Sequence, residues 1–77
     1  MGGSNLDNAV RALRDARDHM TQQALADAVG VSRQTIIAIE QGRYSPSLEV
    51  ALKIARAFGE PVERVFWFSG ADRGASD

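Results

Sequence analysis

Residues 21–59 read TQQALADAVGVSRQTIIAIEQGRYSPSLEVALKIARAFG, and hydroxyl caps and glycine stops divide the stretch into three helices. Thr21 offers a side-chain acceptor to the unpaired N–H groups at a helix start, Leu25, Ala26 and Val29 make one apolar face, and Gly30 tolerates the left-handed backbone of a stop. Ser32 caps the next helix, where Ile36 and Ile39 form an apolar stripe that runs to Gln41 and ends at Gly42. Pro46 pushes Ser45 out of helical geometry, so 43–46 is a loop. Ser47 then caps a helix whose expected buried face is Leu48, Ala51, Leu52, Ala55 and Phe58, with Gly59 as its stop.

Upstream, Leu6, Val10 and Leu13, with Ala9 and Ala16, recur at helical spacing and predict an amphipathic first helix over 5–17. Downstream, Pro61 sits in the first turn of a short fifth helix whose Val62, Val65 and Phe66 point inward. Phe66 to Ser69 is the one stretch with strand character, a candidate edge ribbon. The predicted class is all-α, five helices around one core. Residues 1–4, with linker-type Gly2, Gly3 and Ser4, and the acidic, glycine-rich 70–77 read as disordered ends.

The 77 residues suit one domain, which leaves no room for an active site between two cores. No apolar run is long enough to span a membrane, no signal peptide is evident, and without cysteine there is neither a disulfide framework nor a thiolate metal site. A cytoplasmic protein is expected. The formal net charge of -1 argues against a grip on nucleic acid by bulk positive charge. The charge is unevenly spread, however: 32–58 carries Arg33, Arg43, Lys53 and Arg56 against Glu40 and Glu49, a local +2, whereas 59–77 carries a local -2.

Two short helices separated only by Gly30 and Val31 pack closely when the residue at their crossing is small, and Ala26 is there. Leu25, Val29, Val31, Ile36 and Ile39 then fill the angle, and Arg33, Gln34, Ile37 and Ala38 are left outward on the second helix. That face suits base edges, since arginine bonds guanine at two points, glutamine does the same with adenine, and short apolar groups touch a thymine methyl.

With these residues at this spacing, the chain resembles the helix-turn-helix regulators related to phage Cro and cI repressors. The resemblance runs from Val10 to Phe66 and rests on Ala26, Gly30, Ile36, Glu40, Gly42, Pro46 and the helix LEVALKIARAFG. SRQT at 32–35 and GRYSPSL at 42–48 are similar to short single-domain members, repressor-like proteins that are often dimers. The resemblance implies a five-helix lambda-repressor-like domain over 5–69, with recognition helix 32–41 in the major groove of a double-stranded operator. Arg33, Gln34, Ile37 and Ala38 match base-contacting positions. Gln22, Gln23, Ser32, Thr35, Arg43 and Tyr44 match positions at or near the sugar-phosphate backbone. Glu40 matches a glutamate that pairs with a first-helix arginine, here Arg14. Ile37 replaces a small polar residue, which favours a thymine methyl over a polar contact and leaves a protein contact open. His19 replaces a glycine in a link about one residue longer than usual; with no ligand partner at metal spacing, the only histidine reads as a linker residue.

Phe66, Trp67 and Phe68 are adjacent and cannot all face one small core, so one or two are exposed in a monomer. They either wrap onto the fourth and fifth helices or form a homodimer interface, and the dimer is the expectation carried forward. A second function class keeps the same scaffold but docks a protein partner, as an antitoxin or co-regulator would. No catalytic triad, phosphate-binding glycine loop, metal site or cofactor is indicated, and an enzyme is not expected.

Overall fold

In the computed structural model, which describes residues 6–69, the three hydroxyl caps close the helices they were expected to start. Thr21 Oγ1 accepts from the Ala24 N–H at 2.9 Å, Ser32 Oγ from Thr35 at 3.1 Å and Ser47 Oγ from Val50 at 3.3 Å. The chain runs β1 (Leu6–Asn8), α1 (Val10–Asp15), α2 (Gln22–Val29), α3 (Arg33–Glu40), α4 (Leu48–Phe58), α5 (Val62–Val65) and β2 (Phe66–Phe68). Gly30 and Gly59 end α2 and α4 at φ +86° and +68°, where an L side chain is strained. The ends read as disordered, 1–4 and 70–77, lie outside the described residues.

One core holds the five helices together. Val10 of α1, Leu25, Ala26 and Val29 of α2, Ile36 and Ile39 of α3, Ile54, Ala55 and Phe58 of α4, and Val65 of α5 form a single buried cluster. Burial of each larger side chain contributes about 1.5–3 kcal/mol. Ala26 has no exposed surface, as expected where two helix backbones cross closely.

The first helix starts later than the sequence predicted. Leu6 to Asn8 is extended and pairs antiparallel with β2, in the register Leu6↔Phe68, Asp7↔Trp67 and Asn8↔Phe66. Helical spacing of Leu6, Ala9 and Val10 could not reveal this, because the strand exists only through its distant partner. Asn8 sets the turn into α1: its Oδ1 accepts from Val10 N–H at 3.1 Å and its Nδ2 donates to the Ile39 carbonyl at 2.9 Å. The Ala9 N–H bonds the Val65 carbonyl at 2.9 Å. Phe66 correspondingly belongs to β2 and not to the fifth helix.

The buried stripe of α4 is also shifted. Ala51, Ile54, Ala55 and Phe58 face inward, whereas Leu48 is 74% and Leu52 48% exposed. Leu48 lies in the first turn with no element over it, and Leu52 is rotated off the stripe by the helical step beyond Ala51.

A charged link joins α1 to α3. Arg14 Nε donates to Glu40 Oε2 at 2.6 Å and Nη2 donates to Oε1 at 3.2 Å, with only 11% and 7% of the two side chains exposed. The hydrogen bond to Glu40 raises the Arg14 pKa above arginine's ordinary value, against the opposing effect of burial. Arg14 Nη1 also donates to the Met20 carbonyl at 2.8 Å, fastening the link that precedes α2. Asp18 and His19 in that link adopt φ +60° and +59°, the conformation a glycine would take without strain. Arg17, just past the C-terminus of α1, donates to the Phe58 carbonyl and lies over the Phe58 ring at 5.8 Å from its centroid.

Removal of one partner from a pair this secluded leaves an unpaired charge. Glu40→Ala is therefore expected to lower stability by about 3 kcal/mol in urea denaturation, while Arg14→Met combined with Glu40→Leu recovers much of the loss. Ala26→Leu, which forces side-chain volume into the α2–α3 crossing, should cost about 1–3 kcal/mol in the same assay; a neutral result would mean that the crossing has room.

Candidate nucleic-acid interface

Burial of Ile36 and Ile39 fixes the rotation of α3. With about 100° per residue, Arg33 and Gln34 fall on the solvent side of its first turn and are exposed. Neither side chain has a hydrogen bond or ion pair among the described residues. Ile37 and Ala38 follow one turn later, half-buried beside the ridge, and Gln41 closes the helix as an exposed C-cap. Ser32 and Thr35 stand at the N-terminal rim, where the Ser32 hydroxyl caps the helix and lies 3.0 Å from the Thr35 hydroxyl. The result is one ridge with a cation and an amide at its tip and apolar atoms behind, matching the donor, acceptor and methyl pattern of the major groove.

The start of α2 borders this ridge. Gln22 is half-buried and donates from Nε2 to Glu40 Oε1 at 3.1 Å. One of its two amide N–H groups is thus used in positioning, and α2 is tied to the C-terminal end of α3 by the same carboxylate that holds α1. Gln23 is exposed, with its Nε2 on Asp27 Oδ1 at 2.9 Å. Arg43 and Tyr44 lie exposed on the loop after Gly42, whose φ of +74° turns the chain away from α3, and the Arg43 N–H bonds the Ala38 carbonyl at 3.0 Å.

The C-terminal aromatics divide between core and solvent. Successive strand residues point to opposite faces, so Phe66 packs on the core while Trp67 turns away. Trp67 is 40% and Phe68 61% exposed. The β1–β2 sheet stands at the C-terminal end of α3, where Leu6, Asn8, Ile39, Tyr44, Pro46 and Phe66 line a narrow crevice.

Three contributors to this surface escaped the sequence reading. Asn8 was assigned to the first helix, and no local pattern reveals a bond to a carbonyl 31 residues away. Arg11 and His19 line an open cleft of about 500 Å³ together with Gln22, Ile37 and Gln41. His19 carries no periodic signal because it sits in an irregular link, and Arg11 looks like any solvated helix residue. Among the described residues, no group of histidine, cysteine, aspartate and glutamate could hold a metal ion, and no helix is long and apolar enough to cross a membrane.

Comparison with known proteins agrees with this geometry. A family model described as helix-turn-helix matches residues 10–65, from the start of α1 to the end of α5. An uncharacterized HTH-type transcriptional regulator of Methanocaldococcus jannaschii is 57% identical over 51 residues, covering 66% of this chain and 77% of its own. The uncharacterized HTH-type transcriptional regulator YgzD of Bacillus subtilis is 52% identical over 62 residues, covering 80% and 92%. The cryptic phage CTXphi transcriptional repressor RstR of Vibrio cholerae is 40% identical over 53 residues, covering 69% of this chain and 47% of its own. The match spans every helix around the α2–α3 crossing, and the chain belongs to the helix-turn-helix family of transcriptional regulators.

Proposed function

We propose that the protein is a sequence-specific double-stranded DNA-binding regulator, a repressor, that acts in the cytoplasm and lays α3 with its caps, residues 32–41, into the major groove. The observation that carries this reading is the exposed, unpaired Arg33 and Gln34 at the tip of a helix held rigidly from behind by Ile36, Ile39 and Glu40. Arg33 and Gln34 read base edges, and Ile37 and Ala38 supply apolar surface for a thymine methyl. Gln22, Gln23, Ser32, Thr35, Arg43 and Tyr44 border the ridge and meet the sugar-phosphate backbone, which sets the register of the helix. The relative RstR, named as a phage transcriptional repressor, supports the sign of regulation.

The protein binds as a homodimer through the exposed Trp67 and Phe68, with Phe66, half-buried against the core of its own chain, behind them. A domain with a net charge of -1 makes few phosphate contacts, and a second copy doubles them. Trp67 and Phe68 present apolar surface, and Trp67 shares a surface depression with Glu40 and Gln41 at the C-terminal end of α3, a location that would set two recognition helices on one face of the duplex, about one helical turn apart. A second reading, in which the scaffold docks a protein partner as an antitoxin or co-regulator does, draws on the exposed Leu48 and Leu52 of α4. Duplex binding that weakens steeply with salt favours the first reading, and its absence favours the second.

Against a duplex selected from a random pool, Arg33→Ala and Gln34→Ala are each expected to cost about 1–3 kcal/mol and to relax preference at one base pair; unchanged affinity and preference in both would remove the assignment. In sedimentation equilibrium, Trp67→Ala should shift the protein to monomer, whereas a retained dimer mass would rule out the aromatic interface.

A further inference from the structure

The cleft beside α3 contains the imidazole of His19, the only histidine of the sequence. Its walls are Arg11, Arg14 and Asp15 of α1, His19 of the link, Gln22 of α2, and Ile37, Glu40 and Gln41 of α3. The charges facing His19 nearly cancel. Arg14 is neutralised by Glu40, Arg11 is offset by Asp15, and Asp18, the exposed neighbour of His19 in the chain, adds a further carboxylate. With neutral His19 the cleft lining sums to zero, or to -1 with the adjacent Asp18, and protonation of His19 raises either sum by one, so the imidazole sets how well the cleft accepts an anion. The position matters as well: the lining includes Gln22, Ile37 and Gln41, which border the ridge proposed to enter the groove. Gln22, which lines the cleft, meets the sugar-phosphate backbone in the DNA-binding reading above, so the same run of phosphates would pass the mouth of the cleft. The link is not loose there, since Arg14 bonds the Met20 carbonyl next to His19.

We propose that His19, supported by Arg11, is a phosphate-contacting group that makes DNA affinity depend on pH. This rests on the DNA-binding reading above and adds to it a proton taken up on binding. The imidazolium pairs with a backbone phosphate, so the bound complex favours the protonated form. Binding therefore takes up a proton, and the contribution to affinity is present at pH 6 and lost as pH rises toward 8. Glutamine at this position keeps a hydrogen-bond donor but cannot carry the charge.

His19 is the only histidine, so its imidazole proton resonance identifies itself in an NMR titration of the intact protein. With a selected duplex bound, that resonance is expected to titrate at higher pH than in the protein alone, and inorganic phosphate at matched ionic strength should not reproduce the shift. Wild-type affinity should fall about three- to tenfold from pH 6 to pH 8 on both the selected and a random-sequence duplex, because a phosphate contact is blind to sequence. His19→Gln should flatten that profile and, at pH 6, reduce the slope of log affinity against log salt by about 0.9. Unchanged titration of His19 on duplex binding, or a wild-type profile no steeper than that of His19→Gln, would overturn the proposal while leaving the DNA-binding reading intact. A shift reproduced by inorganic phosphate would assign the cleft to an unattached anion and overturn the DNA contact. Absence of duplex binding at every pH would overturn both.

Discussion

The carboxylate of Glu40 is the point on which the arrangement of this small domain depends. Its two oxygens receive Arg14 of α1 and Gln22 of α2, and it belongs to α3, so one group joins the three helices that shape the proposed DNA-facing surface. Arg14 extends the link by holding the Met20 carbonyl, which fixes where α2 begins. Burial of Leu25, Ala26, Val29, Ile36 and Ile39 holds α2 and α3 against the core and each other. The directional, largely buried pair adds a fixed tie to α1, at the risk of strong destabilisation if either partner is lost.

From this constraint the rest follows in order. With α3 rotated so that Ile36 and Ile39 face the core, its first turn presents Arg33 and Gln34 to solvent from a backbone held by the core. Rigid elements lose little freedom when they meet a partner, which suits base reading better than the same residues on a loop would. The near-neutral charge of the chain weakens nonspecific attraction, which places more weight on oriented contacts and on the proposed second copy and His19 contact.

Most of the architecture was legible because its determinants are local. Thr21, Ser32 and Ser47, with Gly30, Gly42 and Gly59, mark helix boundaries within one or two residues, and the small Ala26 marks the crossing. What could not be read depends on distant partners. Leu6 to Asn8 looked helical because its apolar spacing is consistent with a helix, and only the pairing with Phe66 to Phe68 makes it a strand. Leu48 and Leu52 looked buried because apolar character does not tell which side of α4 its neighbours cover, while Ile54, which is fully buried, was passed over. At the candidate site, Arg33 and Gln34 could be picked out by rotation from the buried isoleucines. His19 and Arg11 could not, because a cleft is a property of assembled helices.

The proposed function turns on the entry of α3 into the major groove. Dimethyl sulfate methylates guanine N7, which lies in that groove, so a footprint on a selected duplex reports occupancy directly. Guanine protection is expected in two patches about one helical turn apart. A bound duplex whose guanines remain fully reactive would contradict it.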